Sequence, residues 1–375
     1  MKSLKLRVPG KLFLLGEYAI LEPGSQALLL SFQRYLEAEI APAETFSLQT
    51  DLLPGAVNGF SCEQSQILWQ RPADKHLEKL HFVGEALQWA FAYLGCLGQT
   101  PKPFQLHLQS DLHSSGAKLG LGSSAAVTVA VLAAVLAFHG EAFESPEQRL
   151  KLFKLATLAH GGSQEGSRKG VQGGGSGADL AAVIFGSVTC YRRYDASWLK
   201  PGTLPLNKLL DLNWPLLGIE KLPWPSELGL KVGWTGHPAA TLDFLEEISY
   251  LKDKNPEGWM RFLFSANAAA SAARFALAEG KIPPLLQAVG QYRHLLQELQ
   301  TDFLTAIETP ALVALCDSAE ALGLAAKSSG AGGGDCGLAL GDPVLVDTVS
   351  EHWRLQGIEP LELALDFQGL CLEEG

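Results

Sequence analysis

Leu4-Lys5-Leu6-Arg7-Val8 and Leu36-Glu37-Ala38-Glu39-Ile40 alternate apolar with other residues, the period of strands with one buried face. Between them Pro9-Gly10-Lys11 reads as a turn, followed by an apolar segment ending at Glu17-Tyr18. Residues 77 to 95 carry helical spacing, and Phe104-Gln105-Leu106-His107-Leu108 alternates again. A loop from Ser110 to Leu121 then feeds a long apolar helix over 123–139. A second helix, about 147–160, enters a glycine-rich stretch from Gly161 to Gly177, and Asp179 opens the next apolar segment. Residues 196–227 hold several prolines and little periodicity, so they read as a connection between two parts.

Beyond it the pattern predicts a strand over 228–234 and helices near 241–252, 257–279, 283–305 and 310–323. A strand over 336–340, a helix over 343–356 and a strand near 359–366 follow. Strands and helices interleave, so the class is α/β (α+β) in two lobes, 1–195 and 228–375.

Bulk properties narrow the chemistry. The 375 residues are 47% hydrophobic, enough for one large core or two ordinary ones. Against 40 Asp+Glu there are only 29 Lys+Arg, and a net charge of -11 has the wrong sign for a general nucleic-acid binder. Anionic substrates would therefore need cations concentrated locally. The six cysteines are scattered without C-x-x-C or metal spacing, which implies reduced thiols and a cytoplasmic location. Ala125 to Phe138 is too short and Ala-rich for a membrane span, and Glu17 breaks the N-terminal apolar patch that a secretory signal would need.

Lys118-Leu119-Gly120-Leu121-Gly122-Ser123-Ser124-Ala125 stands directly ahead of the apolar helix. Glycines let successive N–H groups face one way, and a helix start adds unpaired donors and a positive dipole end. Ser123 and Ser124 can cap the helix or ligate Mg²⁺. Such a loop suits phosphate, although a plain serine cap after a flexible loop has the same local pattern. There is no G-x-x-x-x-G-K-[ST] loop, and Gly120-x-Gly122-x-x-Ala125 lacks the immediately preceding strand of a dinucleotide site.

Two other segments complete a constellation. Pro9-Gly10-Lys11 leads into Gly16-Glu17-Tyr18, and Lys327-Ser328-Ser329-Gly330-Ala331-Gly332-Gly333-Gly334-Asp335 precedes a strand. Alone, Lys11 reads as a solvated turn residue and the glycine run as a tight connection. Together with the serine loop, the three segments resemble the three sequence motifs of the GHMP kinases, in the right order across nearly the whole chain. Gly16 to Gly24, Val232-Gly233-Trp234-Thr235-Gly236 followed by Pro238 to Thr241, Lys118 and Asp335 are similar to the phosphomevalonate kinase branch. Mevalonate kinases usually carry glycine where Asp335 stands.

The resemblance implies an N-terminal lobe like a domain of ribosomal protein S5 and a ferredoxin-like second lobe. It implies ATP and Mg²⁺ as cofactors and transfer of the γ-phosphoryl group to 5-phosphomevalonate. Gly120, Leu121, Gly122, Ser123, Ser124 and Ala125 would hold the ATP phosphates, with Ser123 or Ser124 as a Mg²⁺ ligand. Lys11 and Lys118 would neutralise the transferring group and the acceptor phosphate, and Asp179 would be the catalytic aspartate. Asp179 also fits an ordinary helix N-cap. Ser176, Glu17, Tyr18, Ser328, Ser329, Gly330, Ala331 and Gly332 are substrate-site candidates, and Trp234 and Thr235 are weaker ones. The segment 161–175, with Arg168 and Lys169, has the composition of a lid. The spacing of the mevalonate kinase Mg²⁺ glutamate lands near Arg168 here, with only Glu165 close by. Mevalonate kinase, another small-molecule kinase of the superfamily and a silent ligand sensor are the competing readings. Monomer and homodimer both remain open.

Overall fold

The computed structural model describes residues 3–51, 57–63, 66–70, 80–114, 117–165, 175–199, 204–237, 241–301 and 306–374. The first half runs β1 (Leu4–Leu15), β2 (Gln26–Pro42), β3 (Ser47–Thr50), β4 (Val57–Glu63), β5 (Gln66–Trp69), α1 (His81–Cys96) and β6 (Phe104–Ser110). A small ribbon, β7 (His113–Ser114) with β8 (Ala117–Lys118), leads into α2 (Ser123–Phe138), α3 (Pro146–Glu165), α4 (Ala178–Phe185), β9 (Val188–Arg192), α5 (Leu206–Asp211) and β10 (Gly218–Leu222). The second half holds β11 (Gly229–Trp234), α6 (Thr241–Lys254), α7 (Pro256–Ala278), α8 (Ile282–Gln300) and α9 (Pro310–Glu320). It closes with β12 (Ala325–Ser329), β13 (Cys336–Gly341), α10 (Pro343–Leu355), β14 (Glu359–Leu361) and β15 (Cys371–Glu374).

Strands order as β10-β9-β2-β6-β3-β4-β5 in the N-terminal sheet, with β1 between β2 and β15. The two alternating stretches lie opposite each other at one end of the β1/β2 pair, Leu6 opposite Ala38 and Leu4 opposite Ile40. The segment 196–227 is more than a connection, because β10 pairs antiparallel with β9 and extends this sheet beyond residue 195. The C-terminal strand β15 also returns to pair with β1. In the second lobe the sheet order is β12-β13-β11-β14. Strand β14 ends at Leu361, short of the expected 366.

Helix α2 is apolar on every side and nearly all of it from Ala125 onward is buried, as expected of a helix enclosed by protein. No described helix is long and apolar enough to cross a membrane.

Pro9-Gly10 is not a turn. The strand continues through it with a register shift, so that Pro9 lies opposite Tyr35 and Gly10 opposite Phe32. Such a bulge suits a proline without an N–H, and it re-aims the following side chain. That side chain is Lys11.

Candidate active site

Lys11 emerges from the bulge into the interior, not into solvent, and is almost fully buried. Its N–H donates to the Leu121 carbonyl at 3.0 Å, which ties β1 to the serine loop. Its ammonium lies 2.9 Å from Asp179 Oδ1 and 5.0 Å from the centre of the Phe13 ring.

The serine loop needs its glycines because charged side chains from two distant segments press against it. Gly120 and Gly122 both have left-handed backbones, φ 74° and 76°. A Cβ at Gly122 would come within 2.5 Å of Lys11 Cε, and one at Gly120 within 2.8 Å of Asp335 Cγ. The three sequence segments thus converge on two glycines. Gly122 itself is the N-cap of α2, so the expected serine cap does not form. Ser123 and Ser124 occupy the first two helical positions, half-buried, and the first bond within the helix runs from the Ala126 N–H to the Gly122 carbonyl. The N–H groups of Ser123, Ser124 and Ala125 precede that bond, which is the arrangement that binds phosphate at a helix start.

Asp179 is likewise not a cap. Gly177 caps α4 with φ 85°, and Asp179 is the second residue of the helix. Gly177 is required by Tyr191, whose hydroxyl would stand 2.8 Å from an added Cβ and donates to the Ser176 carbonyl at 2.7 Å. The Ser176 hydroxyl accepts the Ala178 N–H at 3.3 Å. This turn presents Asp179 to Lys11 with about a third of its side chain still exposed, 34%.

The first motif and the glycine loop are stapled together more deeply. Glu17 and Lys327 form an ion pair at 2.5 Å, with side-chain exposures of 2% and 0%. Lys327 also donates to the Ser328 carbonyl, and the Gly330 N–H reaches Glu17 Oε1 at 3.4 Å. Tyr18 adopts φ 62° and donates its hydroxyl to the Ala331 carbonyl. Burial, with Glu17 adjacent, pushes the pKa of that phenol well above the usual tyrosine range. A Cβ at Gly332 would come within 2.4 Å of the Ile307 carbonyl, which accepts the Gly333 N–H at 2.9 Å.

These contacts redistribute the expected substrate residues. Glu17 and Tyr18 hold the glycine loop in place and are buried doing so. Ser329 spends its hydroxyl on the Phe13 carbonyl at 2.8 Å. Ser328 alternates to the other face of β12, the face that carries Ala326 against α9 and α10, and its hydroxyl has no hydrogen-bond partner among the described residues. Thr235 is buried too, with N–H and hydroxyl both donating to the Asp335 carbonyl at 3.0 Å. Lys118 ends β8 immediately before the loop, but its side chain lies outside the described residues. So do Arg168, Lys169, most of the expected lid, and Pro238 to Ala240.

His160, on α3, was not legible as a site residue. Its ring stacks on Phe82 at 5.1 Å, and Nε2 stands 3.4 Å from Ser124 Oγ. In sequence it falls four residues after Ala156 on the buried face of a helix, where a histidine reads as core. Burial lowers its pKa to about 4, against the pull of Asp179. As pH falls below the ordinary value of 6.5, the unfolded chain takes up this proton before the folded one does. Stability contributed by neutral His160 is therefore complete above pH 6.5 and is lost toward pH 4, by about 3 kcal/mol. Melting temperature should fall over that window, and His160→Phe, which keeps the ring stack, should flatten the fall. An equally steep profile in the variant would assign it to other groups.

Residues 81–187 match the family described as GHMP kinases N terminal domain, and residues 276–359 match GHMP kinases C terminal. The chain belongs to the GHMP kinase family. It is 34% identical over 382 aligned residues to the phosphomevalonate kinase of Streptomyces sp. (strain CL190), covering 98% of this chain and 99% of that protein. Among solved structures, a Listeria innocua protein superimposes with a TM-score of 0.90 at 32% identity, over 100% of both chains. Streptococcus pneumoniae phosphomevalonate kinase, in complex with phosphomevalonate and AMPPNP, matches with a TM-score of 0.78 at 29% identity, covering 96% of this chain and 99% of that one.

Proposed function

We infer that this chain transfers the γ-phosphoryl group of ATP to the phosphate of 5-phosphomevalonate, giving 5-diphosphomevalonate and ADP. The observation that carries the reading is the meeting of Lys11, Asp179 and the uncapped start of α2 at one point, in a chain related over its full length to a phosphomevalonate kinase. An acceptor phosphate oxygen forms the new bond to the γ-phosphorus while the bond to the β,γ-bridging oxygen breaks. The attacking oxygen is already anionic, so no strong base is needed. Positioning and charge neutralisation dominate the barrier.

The N–H groups at the start of α2 bind the nucleotide phosphates. Lys11 neutralises charge on the transferring group, and Asp179 orients Lys11 and the acceptor. Lys118, entering the loop from β8, supplies a cation for the acceptor phosphate. Among the described residues no cluster of three His, Cys, Asp or Glu side chains could hold a metal, whereas two hydroxyls stand at the helix start. That donor set suits Mg²⁺, which keeps water and phosphate oxygens as most of its ligands. Ser123 and Ser124 would hold it, and it would supply further neutralisation of the nucleotide phosphates. All six cysteines are free, which suits a reducing compartment and a cytoplasmic enzyme.

ADP release should be measured with 5-phosphomevalonate and mevalonate separately at saturating ATP. Turnover with 5-phosphomevalonate and little with mevalonate is expected. The reverse preference would make the protein a mevalonate kinase, and turnover of neither would leave a ligand sensor.

A further inference from the structure

Helix α7 buries Trp259, Phe262, Leu263, Ala266, Ala270 and Leu277 on its inner side. Its outer side is also apolar. Met260, Phe264 and Phe275 are exposed by 63%, 79% and 59%, and Ala268 and Ala272 lie exposed between the two phenylalanines. Steps of four, four and three residues from Phe264 to Phe275 keep these side chains in one stripe. Monomeric proteins scatter such residues singly and seldom align them, so a stripe of this kind marks a surface that is covered.

The order along the stripe indicates by what. Read from either end it is aromatic, small, small, aromatic. A face with the same pattern in both directions is what two antiparallel copies of one helix need in order to share an isologous contact. We propose that α7 pairs with α7 of a second copy of this chain about a two-fold axis passing between Ala268 and Ala272.

In that pairing Ala268 sits against Ala272 of the second copy, and small residues at the crossing let the two helices approach closely. Phe264 of each copy lies beside Phe275 of the other. Arg261 comes opposite Glu279 of the second copy, and the contact occurs twice. Arg261 is exposed and makes no ion pair among the described residues, while Glu279 is exposed and pairs only with its neighbour Lys281 at 2.6 Å. The charges are therefore complementary at both ends of an apolar centre. A contact built on a single pair of helices falls at the small end of stable interfaces, so association depends on protein concentration.

Sedimentation velocity over a concentration series tests this. The wild type should shift from monomer to dimer as concentration rises. Phe264→Asp should remain monomeric with unchanged melting temperature and unchanged turnover, since Phe264 is exposed and distant in sequence from the three motifs. Arg261→Glu should weaken association at least severalfold, and the swap Arg261→Glu with Glu279→Arg should restore it. A wild type that stays monomeric at the highest concentration, as it would if a different partner covered this face, overturns the proposal. A dimer that survives Phe264→Asp, or a charge swap that fails to restore association, overturns it equally.

Discussion

Replacing Asp179 by asparagine should leave a folded protein whose turnover is lower by about a hundredfold or more, about 2.7 kcal/mol of transition-state stabilisation. The substitution keeps the shape of the side chain and removes its charge. Were Asp179 a helix cap, asparagine would serve nearly as well. The cap of α4 is Gly177, however, and Asp179 instead meets the Lys11 ammonium at 2.9 Å beside the start of α2. Without the carboxylate, Lys11 loses the partner that fixes its position, although Phe13 still flanks it. Because the two side chains touch, Lys11→Met and Asp179→Asn should be far from additive in a double-mutant cycle. Turnover within a few fold of wild type in a folded Asp179→Asn protein would remove Asp179 from the chemistry.

Lys327→Met should destabilise the protein by about 3 to 5 kcal/mol, the scale for breaking a buried ion pair from one side. Lys327 is wholly enclosed, and its ammonium lies near the face of Tyr292, 5.7 Å from the ring centre, as well as against Glu17. Methionine fills much of the same volume but leaves the Glu17 carboxylate in the interior with only the Gly330 N–H at 3.4 Å. One oxygen of that carboxylate, Oε2, already lacks a hydrogen bond among the described residues. The double variant Glu17→Gln with Lys327→Met should recover part of the loss, because no unpaired charge remains. Chemical denaturation measures both. A Lys327→Met protein within about 1 kcal/mol of wild type would mean that the pair is easily dispensed with, well below the range for breaking a buried pair. The pair joins the first motif to the glycine loop, so surviving variants should also show a raised KM for ATP.

The parts of this protein written locally in the chain were legible there. Glycines and serines directly before a long apolar run point to a helix start with unpaired donors, a feature that depends little on what surrounds it. The long helices of the second lobe follow from their periodicity, and α7, α8, α9 and α10 each start with proline at one of the first positions. Strands β3, β4, β5, β7, β8, β9, β10, β12 and β15 have no clear signal in the sequence, because short strands gain their stability from neighbours far away in sequence.

The site divides along the same line. Sequence named Lys11 and Asp179, yet only the fold turns a Pro-Gly bulge inward and brings together residues separated by 168 positions, 11 to 179. The buried Glu17–Lys327 pair spans 310 positions, and His160 reaches Ser124 only because α3 packs beside α2. Conversely, Ser328 and Ser329 looked like loop hydroxyls available to a substrate, and strand pairing of β12 with β13 buries both. Residue type and spacing thus determined which chemistry the chain can perform. Which charges meet, and which hydroxyls remain free to take part, depended on non-local packing that no local pattern encodes.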